Sequence, residues 1–131
     1  MPMHLLKNLK RNNMKLTDLM VGDWVFIKDY PIKALPKKVR PEHFVRSLVE
    51  FEPIPLTTEI LEKNGFVRLG KQYNIWMCRG FGFSLKLVDG VFGYYEQGHP
   101  YYPTFITKYV HELQHALRLF GQNDLADNFK I

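Results

Sequence analysis

Apolar and polar positions alternate along much of the chain, and the period changes twice. Val21-Gly22-Asp23 reads as a turn, and Trp24-Val25-Phe26-Ile27-Lys28-Asp29 behind it reads as a strand rich in aromatic and β-branched residues. Residues 31–41 hold three prolines and four cations, which predicts a loop or a sheet edge. A second strand is expected over residues 44–51. Residues 57–66 change to a helical pattern: Thr57 is placed to cap, Glu59 lies in the first turn, and Gly65 is placed to stop the helix. Strands are then expected over 66–69, 73–78, 83–88 and 91–96, with Asp89-Gly90 as a tight hairpin turn between the last two.

Residues 98–103 read as a loop. Thr107 is the expected cap of a final helix over 108–120, ended by Gly121. On that helix Tyr109, Val110, Leu113, Ala116, Leu117 and Phe120 share a broad apolar face, and His111, His115 and Arg118 fall opposite, as on a solvated polar face. The order predicts an α+β fold: a single domain, mainly an antiparallel sheet, with a short central helix and a longer C-terminal amphipathic helix packed on it.

Composition narrows the class. The chain has 131 residues, 46% hydrophobic and 24% charged, as expected of one folded domain. Its single cysteine, Cys78, excludes a scaffold built on internal disulfides. No apolar run approaches the roughly 20 residues of a membrane span, and residues 1–13 do not read as a signal peptide. A cytoplasmic protein without membrane contact is the plain expectation. The formal charge of +5 is partly local: Lys7, Lys10 and Arg11 stand among residues 1–13 without an acid. Without them 15 basic residues face 13 acidic ones, a net of +2. The expected organisation is therefore a flexible basic arm over 1–13 and one domain over 14–131, with Met14 as a second candidate start.

Two strings carry candidate chemistry. His111-Glu112-Leu113-Gln114-His115 fits a zinc-binding helix, because histidines four apart project from one side and Glu112 would serve as general base on a metal-bound water. The string resembles the active-site helix of zincin metallopeptidases over one helix. A third ligand is needed. The metzincin pattern calls for glycine at 118 and histidine at 121, where this chain has Arg118 and Gly121. After His115 the only acidic side chains are Asp124 and Asp127, so an upstream ligand would have to come from Cys78, Glu96 or His99. Peptide deformylase, a Cys-His-His protein, has an aspartate where Gln114 stands. The cation of Arg118, one turn beyond His115, opposes a dication there. The expectation is no catalytic residue and no cofactor, with His111, Glu112, His115 and zinc as the alternative.

The second string, Arg79-Gly80-Phe81-Gly82-Phe83, matches the opening of the RNP1 motif of RNA recognition domains, whose aromatics stack on bases. The match stops at Ser84-Leu85-Lys86, and a hairpin stands where that fold needs a helix. Beyond either string, ten of the chain's 19 aromatic residues lie between Tyr73 and Phe105. An aromatic sheet surface is therefore the expected ligand platform, with Arg79, Phe81, Phe83 and Lys86 as its binding residues.

Three blocks resemble a group of small proteins from Bacteroidetes genomes and their phages: Leu-Met-Val-Gly-Asp-Trp-Val from Leu19, Ile54-Pro55-Leu56-Thr57 with Ile60 to Phe66, and Tyr109 to His115. They run in order over nearly all of the chain after Met14. The resemblance implies a phage or mobile-element setting and supplies no activity. In that group the last block often reads His-x-Leu-Gln-Asn, which implies a structural helix in which His115 is incidental. The leading expectation is a non-enzymatic binding protein that engages a host protein or an anionic ligand, nucleotide or nucleic acid. A minimal metallohydrolase and an RNA binder follow it.

Overall fold

The structure, a computed structural model, describes residues 18–29, 34–44, 49–70, 74–78, 83–96 and 101–131. The expected basic arm, residues 1–13, lies outside them. Among the described residues two antiparallel sheets and three α-helices make a mixed α+β fold in which sheet dominates. No helix among the described residues is long and apolar enough to cross a membrane.

The first sheet has three strands in the order β2-β1-β3: β1 (Trp24–Asp29), β2 (Leu35–Lys38) and β3 (Val49–Pro53). Strand β2 lies inside the stretch expected to be a loop or a sheet edge, and the second alternative is the one observed. It is an edge strand, where proline is tolerated because one row of backbone groups has no ladder partner to serve. The strand expected over 44–51 begins later. Residues 41–44 form a 3-10 turn (Pro41–Phe44), residues 45–48 lie outside the described ones, and β3 starts at Val49.

The second sheet is a five-stranded meander: β4 (Phe66–Arg68), β5 (Ile75–Cys78), β6 (Ser84–Val88), β7 (Val91–Tyr94) and β8 (Phe105–Thr107). The first four follow the predicted strands. The β6–β7 turn has Asp89 at φ 51° and Gly90 at φ 78°, the double left-handed pair that a two-residue hairpin requires. Strand β8 was not expected. Its three residues are too few to show a period, and its pairing with β7 defines it.

Helix α1 (Thr58–Lys63) starts as predicted, with the Thr57 hydroxyl accepting from the Ile60 N–H at 3.2 Å. Helix α2 (Val110–Leu119) is capped by Tyr109 rather than by Thr107, which ends β8 instead. Its C-terminus closes at Gly121 (φ 79°): the Gly121 N–H donates to Arg118 O at 3.0 Å and the Gln122 N–H to Leu117 O at 2.8 Å. A short α3 (Asn123–Asp127) follows, which the sequence pattern did not reveal.

The main core lies between the inner face of the five-stranded sheet and the three helices. It includes Leu61, Phe66, Trp76, Phe83, Leu85, Phe92, Val110, Leu113, Leu117 and Phe129. A smaller core, Leu19, Val25, Ile27, Val39 and Phe51, lies on the far side of β1. Alternation along β1 joins the two: Val25 and Ile27 enter the small core, whereas Trp24 and Phe26 pack against the main one.

Candidate functional site

The zincin-like string is the natural starting point, and its side chains have structural partners. The predicted solvated face of α2 is a correction. At about 100° per residue, Gln114, Arg118, His111 and His115 fall on one side of the helix, and that side packs against the turn before β1. His111 is 7% exposed and Gln114 fully buried. The period could separate apolar from polar positions but could not tell water from a second protein surface.

Gln114 joins three segments. Its Oε1 accepts from the Trp24 N–H at 2.8 Å, and its Nε2 donates to Gly22 O at 2.9 Å and to Ala126 O at 3.0 Å. Beside it Asp23, fully buried, receives three donors: the Met20 N–H at 2.7 Å, Arg118 Nη1 at 2.8 Å and His115 Nε2 at 2.5 Å. Arg118 also reaches Asp127 at 3.4 Å. A carboxylate can only accept, so the proton of the His115 contact sits on Nε2. Glu112 turns back over the helix start, where its Oε1 accepts from the Lys108 N–H at 2.8 Å and the Tyr109 N–H at 3.0 Å. It satisfies two backbone donors that the first turn leaves open.

These contacts occupy the groups that a metallohydrolase would use: the general base caps its own helix, and one imidazole faces a buried carboxylate that already holds a guanidinium. Among the described residues no three His, Cys, Asp or Glu side chains converge as a metal cage. Cys78 lies in the main core, where burial pushes its thiol up, opposite to what a thiolate ligand needs. Glu96 is exposed, and His99 lies outside the described residues. His111 stacks against Tyr109 and meets the His115 ring edge-on at 5.7 Å, and its Nδ1 is buried without a hydrogen-bond partner among the described residues. Burial lowers its pKa below the ordinary 6.5, with the charges of Glu112 and Asp23 acting in the opposite direction.

The predicted platform divides. Arg79 and Phe81 lie outside the described residues. Phe83 is a correction: it is 2% exposed, stacked on Tyr94 at 5.4 Å and close to Phe66, Phe105 and Phe120, so its ring faces the core and offers no surface to a base. Tyr94 and Phe105 belong to the same inner layer. The aromatic density of this stretch is largely a core built from one sheet face.

Lys86 stands on the other face. Pairing aligns Ile75, Lys86, Gly93 and Ile106 across four strands, with Val67, Met77 and Ser84 as one flanking row and Val88 opposite Val91 on the other side. Val67, Val88 and Ile106 are 37%, 39% and 45% exposed. Gly93 is buried because Tyr95 and Pro103 close over it: a Cβ there would meet their carbons at 3.1 and 3.2 Å. Lys86 Nζ lies over the Tyr95 ring, 5.5 Å from its centre. Just before Pro103, Tyr101 and Tyr102 are 87% and 81% exposed. Among the described residues the outer face is thus largely apolar, with Lys86 and the Tyr95 ring near its centre. Its signal in the sequence was Ile75-Trp76-Met77-Cys78, apolar at every position rather than at alternate ones, as in a strand with two apolar faces.

No family model, curated protein or solved structure matches the chain.

Proposed function

We propose that this chain is a non-enzymatic binding protein that acts in the cytoplasm, in a phage or mobile-element setting, and engages a host protein through the outer face of its five-stranded sheet. The setting rests on the resemblance of the three sequence blocks. The mode of action rests on one observation: Val67, Val88 and Ile106 are exposed on one face around Lys86 and Tyr95. Monomeric proteins rarely leave contiguous apolar surface in water, and such patches mark sites of association. Tyrosines suit the rim of such a site, because each offers an apolar body and a polar edge. The cation at the centre favours a partner that presents apolar side chains around a carboxylate.

The test is site-specific photo-crosslinking in host cells. A crosslinking residue at Ile106 or Val88 is expected to capture one defined partner. The same residue at Glu59, exposed on α1, is expected to capture none. Lys86→Glu should abolish the crosslink while leaving the melting temperature unchanged. Capture of the chain's own copies would replace the host partner with self-association. Equal capture from Glu59 and Ile106 would remove the sheet face from consideration.

A further inference from the structure

A second surface, apart from the outer face of the five-stranded sheet, has the chemistry of a small-molecule site. Beside edge strand β2 a cavity of about 540 Å³ is lined by Trp24, Pro36, Lys37, Lys38, Arg40, Glu42 and His43. Its volume falls within the roughly 300–1,000 Å³ of small-molecule pockets. Among the described residues three cations face one carboxylate around it, and that carboxylate is weakly committed. Arg40 and Glu42 are 4.0 Å apart with both side chains largely in water, a pair of little strength that an incoming anion would readily displace.

The other lining groups are held in position. Lys38 Nζ donates to Asp127 O at 2.8 Å and lies 5.7 Å from the centre of the Trp24 ring. The Trp24 indole is anchored in turn, its Nε1 donating to Phe129 O at 2.6 Å. His43 is buried, and its Nδ1 accepts from the Arg40 N–H at 2.9 Å, which fixes the backbone that carries Arg40. A rigid aromatic wall therefore stands beside a positioned ammonium, while Lys37 and Arg40, both exposed, add two further cations to the lining.

We infer that this cavity binds a small phosphate ester, with the phosphate on Lys37 and Arg40 and the remainder of the ligand against Trp24 and Pro36. Arginine's planar fork matches the oxygens of a phosphate, and lysine adds a point charge. The indole and the proline ring offer an apolar wall to a base or a sugar.

Tryptophan fluorescence provides the test, because Trp76 lies in the main core and Trp24 is the tryptophan at the cavity. ADP is expected to give a saturable change, inorganic phosphate to compete with it, and adenosine to give none. Ribose 5-phosphate separates the two sources of the phosphate: a response equal to that of ADP marks a sugar phosphate, and a weaker one marks a nucleotide. The double variant Lys37→Ala/Arg40→Ala changes only exposed side chains and should weaken ADP binding by about tenfold or more, as expected for loss of charge-assisted hydrogen bonds. No saturable response to any phosphate, or an undiminished response in the double variant, overturns the proposal. Tighter binding of polyuridylate than of ADP overturns it too, since the site would then track a polymer.

Discussion

Two residues of α2 carry consequences that the string in which they stand does not suggest. Gln114, itself fully buried, completes hydrogen bonds for three backbone groups, a buried one at Ala126 and part-buried ones at Gly22 and Trp24. Leaving a buried polar group unpaired costs about 1–3 kcal/mol. Gln114→Leu is therefore expected to lower unfolding free energy by roughly 3 kcal/mol or more, and Gln114→Glu, which retains the acceptor and loses both donors, by nearly as much. Urea denaturation would check this, and a loss below 1 kcal/mol in both variants would contradict the bridge. His111 makes the opposite case. Its Nδ1 has no hydrogen bond among the described residues to lose, and burial lowers its pKa although Glu112, Asp23 and Asp18 pull the other way. A histidine with a depressed folded pKa binds its proton more readily when unfolded. It thus takes no stability away well above pH 6.5 and increasingly more as pH falls below that value. His111→Leu should leave the melting temperature at pH 8 nearly unchanged and flatten its fall between pH 7 and pH 5. Parallel profiles for the two proteins would show that another group is responsible.

Elements were legible where local chemistry decides them. Thr57 and Gly65 bound α1, Asp89-Gly90 turns β6 into β7, and Gly121 ends α2, each through a backbone requirement that a few residue types meet. Elements that depend on distant partners were not legible. Strand β8 exists because β7 pairs with it, and β2, legible only as a loop or a sheet edge, is a strand because β1 pairs with it. Helix α3 is five residues long, and its Ala126 is fixed by Gln114 from another helix. The same boundary runs through the candidate site. The string from His111 to His115 was read as chemistry because spacing is visible in sequence, whereas its partner Asp23 lies about 90 residues upstream with no local signal beyond a turn before a strand. Lys86 was found as an exposed cation, and Phe83 was misjudged because an aromatic in a strand looks the same whichever face it occupies.

At the scale of the whole molecule, the polar side of α2 is the joint between two cores. Among the described residues the small core beyond β1 has five buried hydrophobic residues, too few to be expected to stand alone. It is tied to the rest through the Asp23 cluster, through Lys38 on α3, and through the Trp24 indole on Phe129. The chain end is tied down as well, since Asn64 both donates to and accepts from the Lys130 backbone. Asp23 is the most exposed to failure of these ties, because a buried carboxylate depends on its cations. Arg118→Ala should cost about 3–5 kcal/mol, as when one partner of a buried ion pair is removed. The double variant Asp23→Asn/Arg118→Met takes away both charges and should recover most of that loss. Hydrogen exchange locates the effect: in Arg118→Ala the amides of β1 and β2 should lose protection before those of β5 and β6, because the five-stranded sheet keeps its own core. Uniform loss across both sheets would mean that the Asp23 cluster stabilises the fold as one unit rather than joining two.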